Sequence, residues 1–331
     1  MTDQLRPYSW QQPAWDQILQ QSRNDRLAHA YLLSGIAGSG RRHFAAALSS
    51  WLLCEQALAT RTQACGTCRQ CLLFASGNHP DVLEIVPEEN SAAIKIDQIR
   101  RLAEFVNQTS NQQNAWQLVI INPAAAMAAA AANSLLKSLE EPPGKTLFLL
   151  ISDTSSQLLP TLRSRCQPLP LPVPTLADTM SWLQQHSAAG TAELARAAAL
   201  APGQPYHALD LLEQGIPDWR ELLREKLTAL ADRQENVTAV ARFCEKQPYQ
   251  YAIKLMLEMS SERIRQFATQ GSAHDVNRLS HPWFRFQREL QTVNRQLQTT
   301  ANPNLLMSLE HILTCWQDAI WKESDPNSSS A

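Results

Sequence analysis

Glycine is scarce in this chain, 10 of 331 residues, and the longest apolar run, Ala124 to Ala132, is only nine residues of mostly alanine. A membrane-spanning helix needs about 20 apolar residues in series, so none is expected. No charge of one sign dominates either. The formal net charge is −2, which leaves no overall basic field to announce nucleic acid, and any DNA contact has to be local. The first ten residues lack both the basic and the apolar segment of a secretory leader, and a cytoplasmic protein is expected. What is present is an ordinary globular composition, with 44% apolar and 18% charged residues, and the length predicts two or three domains. Outside one loop the Ala-, Leu- and Gln-rich chain reads as mostly helix.

That loop holds three of the ten glycines. Leu32 to Ala45 reads L-L-S-G-I-A-G-S-G-R-R-H-F-A. A working phosphate-binding loop runs G-x-x-x-x-G-K-[ST], in which backbone N–H groups cradle phosphates, the Lys reaches the terminal phosphate and the hydroxyl holds magnesium. Here Gly35, Gly38 and Gly40 supply the turn, but Arg41 stands in place of the Lys and Arg42 in place of the Ser or Thr. A guanidinium is no substitute for a compact ammonium and cannot coordinate a cation. A second loss follows downstream. The apolar segment Trp116 to Ile121 ends in Asn122-Pro123, where an ATPase would carry the acidic pair that serves magnesium and the attacking water. No ATP of its own is expected for this loop.

The surrounding pattern alternates strand and helix. Amphipathic spacing predicts helices over Trp10 to Ser22, Arg41 to about Leu58, Ile96 to Gln108 and Ala124 to Glu141, the last ended by Pro142-Pro143. Short apolar segments at Leu27 to Leu33, Asp81 to Val86, Trp116 to Ile121, Thr146 to Ile151 and Cys166 to Leu171 read as strands of a parallel sheet covered on both faces. Pro168, Pro170, Pro172 and Pro174 mark a linker. Three domains are expected: an α/β domain over 1–171, a small helical domain over 172–215 and an all-helical bundle over 216–322, followed by a disordered polar tail at 323–331.

Cysteine use is concentrated. Four of seven lie between 54 and 71, as Cys54 and the run Cys65-x2-Cys68-x2-Cys71. Four thiolates at C-x-x-C spacing close a tetrahedral site with no open position, the pattern of structural zinc. An iron–sulfur run would want a fourth cysteine and a proline downstream, and residue 75 is Ala. Free thiols in a hydrophilic loop are the other alternative. His79 lies close by and is expected to be a surface or capping residue.

Taken in order, Leu27-Ala-His-Ala-Tyr-Leu-Leu-Ser-Gly35, the cysteine insertion, Asn133-Ser-Leu-Leu-Lys-Ser-Leu-Glu-Glu-Pro-Pro143 and Leu162-Arg-Ser-Arg-Cys166 resemble the AAA+ subunits of the bacterial DNA polymerase III clamp loader. The resemblance covers roughly residues 10 to 320 and is strongest in the first 170. Asn302-Pro303-Asn304-Leu305-Leu306 is similar to the start of that family's last collar helix. It points to a member with a degenerate nucleotide site rather than to the gamma/tau motor subunits, which keep an intact loop and acidic pair. The fold then implied is an AAA+ parallel-sheet domain with a zinc insertion, a helical lid and a C-terminal helical collar.

The resemblance also assigns roles. Ser164-Arg165-Cys166 matches the motif that presents an arginine finger to ATP on a neighbouring subunit, so Arg165 is the expected catalytic residue in trans. The competing reading is an arginine that caps or pairs locally. Where the family's lid carries a further nucleotide-contacting arginine, Gly203-Gln204-Pro205 is followed here by Tyr206. Expected partners are the gamma/tau motor subunits and the delta subunit, with the sliding clamp and primed DNA in the assembly. The motor-type alternative has Arg41 replacing Lys in an active ATPase, and a third reading is a zinc-dependent DNA-binding module. Lys95, Arg100 and Arg101 could touch phosphates, although a solvated helix face is the better reading, and Trp283-Phe284-Arg285-Phe286 is expected in a core or subunit contact.

Overall fold

The computed structural model describes residues 5–56, 62–89, 91–107, 116–153, 156, 158–270, 273–298 and 304–324. The chain divides into two compact units, Met1–Asp210 and Leu211–Ala331.

In the first unit, helix α1 (Gln12–Arg23) precedes strand β1 (Ala30–Ser34), which enters the glycine loop and helix α2 (Arg41–Leu53). There follow α3 (Arg69–Ala75), β2 (Val82–Ile85), α4 (Ile96–Asn107), β3 (Gln117–Ile121), α5 (Ala129–Glu140), β4 (Thr146–Ser152), the single turn α6 (Pro160–Arg163) and β5 (Gln167–Pro170). The five strands form one parallel sheet in the order β2-β3-β4-β1-β5. Strand residues alternate between two buried faces. Tyr31, Leu33, Leu118, Leu147 and Leu149 pack with Trp15, Phe44 and Leu48 on one side, while Leu32, Val119, Ile121, Phe148 and Leu150 pack with Leu102, Leu135 and Leu139 on the other. Burial on both faces explains why the strands read as continuous apolar runs. Three helices complete the unit: α7 (Leu176–His186), α8 (Thr191–Leu200) and α9 (Pro205–Glu213), the last crossing its boundary.

Three local expectations are corrected. The proline-rich segment is not purely a linker, because Pro168 and Pro170 lie within β5, at the sheet edge. Leu171 donates its N–H to Ser34 O (2.8 Å), and the prolines fall at the alternate positions, whose nitrogens face the free edge where no donor is required. Helix α2 stops at Leu53, with Cys54 already extended at φ −65°, ψ 123°, and Leu58 lies outside the described residues. The alanine run is not one helix. Ala124–Ala126 form a 3-10 turn, Met127 bridges Ile94 as a strand would, and Ala128 N donates to Ile94 O (3.2 Å) before α5 begins.

The second unit is wholly helical among its described residues: α10 (Ile216–Ala231), α11 (Val237–Cys244), α12 (Tyr249–Gln270), α13 (Ala273–Leu297) and α14 (Leu305–Ser324). Its core is built from Leu223, Leu227, Met256, Leu309 and Leu313 around Trp283, Phe286 and Trp316, whose rings meet edge to face with centroids 5.1 to 6.2 Å apart. Of the aromatic tetrad, Trp283 and Phe286 are therefore core while Phe284 is exposed. The buried Arg220 donates to Glu258 Oε2 (2.6 Å), tying α10 to α12. The expected tail begins later than 323, since α14 continues to Ser324; residues 325–331, like Asn302 and Pro303, lie outside the described residues. Among the described residues no helix is long and apolar enough to cross a membrane.

Candidate functional site

The sheet delivers the glycine loop at the end of β1. Gly38 (φ +72°) and Gly40 (φ +90°) take left-handed conformations that side chains disfavour. Both are also crowded by the chain itself. A Cβ on Gly38 would lie 3.2 Å from Gln204 Cβ and 3.3 Å from His207 N, and one on Gly40 would lie 3.0 Å from the Tyr8 ring. Tyr206 N donates to Gly38 O (3.2 Å), Trp10 Nε1 to Ser39 O (3.0 Å) and Gln11 Nε2 to Gly40 O (2.9 Å). Above the loop, Tyr8 stacks on His43 and Trp10, and its hydroxyl shares a 2.7 Å hydrogen bond with that of Tyr206. Burial, then the Tyr8 hydroxyl, push the Tyr206 phenol well above its ordinary range. The loop's mouth is thus lined by aromatic rings of the same unit.

Arg41 opens α2 yet points back into the protein. It is 8% exposed, its Cδ passes over Gly35, and Nη2 pairs with Asp153, immediately after β4. Nη1 is buried without a partner. The position that would present a Lys to phosphate is thus satisfied by a carboxylate of the same chain. Arg42 is exposed and pairs with Glu84 (2.8 Å), and Asn122 continues the sheet pattern by donating N–H to Ile85 O (2.9 Å). Sequence reasoning did not single out Asp153; its one available signal was an acid directly following a buried strand.

The four cysteines of the zinc expectation come together. The Sγ atoms of Cys54, Cys65, Cys68 and Cys71 all lie within 4.8 Å of one another, with Cys65 and Cys71 at 3.9 Å. Tetrahedral Zn–S bonds of about 2.3 Å imply S···S separations of about 3.8 Å, so the donor set fits one zinc ion. The early end of α2 is what turns Cys54 toward the insertion, where its Sγ accepts from Cys65 N (3.3 Å). Burial raises the Cys65 thiol, but donors outweigh it: Thr67 N–H (3.4 Å), Thr67 Oγ1 and Cys68 N–H (3.3 Å) bring it down to about 6. Burial, then the neighbouring sulfurs, push Cys71 up. One thiolate forms readily while Cys54 and Cys71 resist ionisation, and a divalent cation would favour their thiolates. His79 is buried rather than superficial, although it does cap locally, its Nδ1 accepting from Asp81 N (3.1 Å).

Arg165 sits between two anchors. Leu162 and Cys166 are buried, and burial raises the Cys166 thiol to about 12, so that cysteine is a packing residue rather than a nucleophile. Ser164 Oγ donates to Thr161 O (3.0 Å). The Arg165 side chain is one-third exposed and lies against Glu140, the last residue of α5: Nε donates to Oε1 (2.6 Å), Nη2 pairs with the same oxygen, and Nη1 donates to Thr161 O (3.0 Å). Arg163 is exposed. Of the cations considered for DNA, Lys95 pairs with Glu88 (2.9 Å), Arg101 with Glu88 (3.5 Å) and Arg100 with Asp97 (2.9 Å), so these three cations are met by two carboxylates.

The comparisons with known proteins bear on the same elements. A family model described as "DNA polymerase III, delta subunit" matches residues 10–175. DNA polymerase III subunit delta' of Pseudomonas aeruginosa is 42% identical over 228 residues, 69% of this chain and 68% of that one. The corresponding protein of Haemophilus influenzae is 33% identical over 258 residues, 78% and 77% of the two chains. Among solved structures, a DNA polymerase III gamma subunit-related protein from Thermotoga maritima is similar at a TM-score of 0.45 and 19% identity, covering 92% of this chain and 99% of that one. The family match spans the sheet, the degenerate loop, the thiol cluster and the Ser-Arg-Cys segment, and with relatives of this identity over most of their length the chain belongs to the DNA polymerase III delta-prime subunit family.

Proposed function

We propose that this chain is a non-hydrolysing subunit of a replicative clamp loader, which binds no ATP of its own and completes the ATP site of a neighbouring subunit with Arg165. The observation that carries the reading is the opposite fate of two arginines. Arg41, in the phosphate-reading position, is buried on Asp153, whereas Arg165 stands at the surface on a rigidly anchored turn. A guanidinium brought against a γ-phosphate stabilises the charge that develops in phosphoryl transfer, in bidentate geometry that Lys cannot reproduce.

The remaining parts take supporting roles. Residues 1–171 form the AAA+ domain, 172–215 the lid and 216–322 the collar that holds the subunit in its assembly. Its partners would be the gamma/tau motor subunits and the delta subunit, acting on the sliding clamp and primed DNA. Cys54, Cys65, Cys68 and Cys71 would hold a structural zinc ion, which closes a loop too small to have a core of its own and leaves no open coordination position for chemistry. The test is Arg165→Ala in the reconstituted assembly: DNA-stimulated ATPase and clamp loading are expected to fall, and unchanged rates sink the reading. The motor-type alternative is checked on the isolated chain, for which no ATP turnover is expected.

A further inference from the structure

Glu140 breaks a local rule. It is an acid at the C-terminal end of α5, followed by Glu141, where the helix dipole favours cations. Its compensation comes from outside the helix, in the guanidinium of Arg165. That guanidinium is engaged on all three nitrogens by its own chain: Nε and Nη2 by Glu140 Oε1, Nη1 by Thr161 O and, at 3.4 Å, by Ser164 Oγ. A finger held in this way is not extended toward another subunit. The backbone beneath it cannot shift easily, since Leu162 and Cys166 are buried on either side and Arg165 N donates to Leu162 O (3.1 Å). Only the side chain is free to exchange partners.

We infer that Glu140 is a positioning residue that parks Arg165 on its own subunit and competes with the neighbour's terminal phosphate for the guanidinium. The inference rests on the finger reading of Arg165. Both side chains are partly solvated, at 33% and 48% exposure, so the pair is weak and a phosphate's greater charge and bidentate acceptors displace the carboxylate. Once released, Glu140 returns to water, and Arg165 changes counter-ion without ever being left unpaired. Parking therefore sets a threshold. The finger is delivered when the neighbouring nucleotide arrives in register and withheld when it does not, which suppresses idle turnover in an incompletely engaged assembly.

The experiment compares wild type, Glu140→Gln, Arg165→Ala and the double variant in the full reconstituted assembly, measuring ATP turnover without clamp and DNA, turnover with both, and KM for ATP. Glu140→Gln is expected to raise unstimulated turnover by about threefold to fivefold and lower KM, with little change in the stimulated rate, as fits release of a weak surface pair. The double variant should match Arg165→Ala. Turnover lowered by Glu140→Gln toward the Arg165→Ala level would mean that Glu140 supports the extended finger, and overturns the parking role. A rise that survives in the double variant overturns it too, since Glu140 would then act without the arginine. If Arg165→Ala lowers turnover while Glu140→Gln changes nothing, parking fails and the finger stands. If Arg165→Ala itself changes nothing, both fall.

Discussion

Arg41 and Arg165 carry the same group on the same sheet and meet opposite surroundings. Arg41 starts a helix whose loop is capped by Tyr8, Trp10 and Tyr206, and its buried side chain is neutralised by Asp153. Arg165 follows a one-turn helix just before β5 with its own side chain one-third exposed, while the acids that pair with the two arginines are each about half exposed. A guanidinium buried in the protein is structural, because its side chain fills packed space and its charge depends on one fixed partner. One paired at the surface can be exchanged at little cost. The difference lies in how deeply each guanidinium is buried, not in the exposure of its acid.

The largest effect that could break this comparison comes from the exposed arginine. Arginine fingers contribute about 10³ to 10⁵ in rate in other phosphoryl-transfer systems, so Arg165→Ala should slow single-turnover hydrolysis at the site it faces by at least about 10³. The isolated variant should melt within a few degrees of wild type, because only a surface ion pair is lost.

Next in size is the thiol cluster, which clamps the C-terminal end of the helix that Arg41 begins. Metal analysis of the native protein should find one equivalent of zinc, and Cys65→Ser should lose it together with several kcal/mol of local stability. The pH dependence follows from the thiols. Cys65, lowered to about 6 by its N–H and O–H donors, already holds a thiolate at neutral pH, so zinc should be retained at pH 7 and released on acidification, as protons compete for the thiolates. Metal loss that shows no dependence on pH would argue against a thiolate site.

Much of this architecture is legible in the residues, for reasons that can be stated locally. Buried parallel strands must be continuously apolar, a glycine loop between strand and helix has few alternatives, and C-x-x-C spacing constrains its thiols by covalent reach. The parts that escaped are set by tertiary contact. Nothing in Ala124 to Ala132 tells that Met127 will be taken by a bridge to Ile94, since every residue there is a sound helix former. Arg41 is visibly wrong for a phosphate loop, but its partner lies 112 residues away. Glu140 was read only as part of a motif, and the helix-dipole conflict that marks it becomes informative once the helix end is known. His79 caps as expected, but its neighbours Asn78 and Pro80 give no sign that it is buried.

A middle-sized effect would sharpen the account of Arg41. Removing Asp153 leaves a guanidinium with nine-tenths of its side chain buried and no counter-charge, whereas removing Arg41 leaves a carboxylate that is half exposed and can be hydrated. Asp153→Ala should therefore cost about 1–3 kcal/mol and Arg41→Met less than about 1 kcal/mol, read from native-state amide exchange across residues 35–44. Equal costs would mean that the pair is ornamental and that the aromatic cap alone holds the loop.

The smallest effect concerns Arg163, the control built into the same motif. It shares the charge of Arg165 and lies two residues away, exposed, lining a shallow groove of about 400 Å³ with Pro160, Ser164, Pro168 and Pro170. If the segment acts on a neighbour's phosphates through its general positive field, either arginine serves and each loss costs about the same. If one guanidinium is aimed by the anchored turn, only Arg165 matters. Arg163→Ala should leave assembly ATPase within about twofold and stability within about 0.5 kcal/mol, as for an ordinary surface charge. A loss approaching that of Arg165→Ala would turn the finger into a patch, and would remove the distinction between a positioned arginine and a merely exposed one on which the comparison with Arg41 depends.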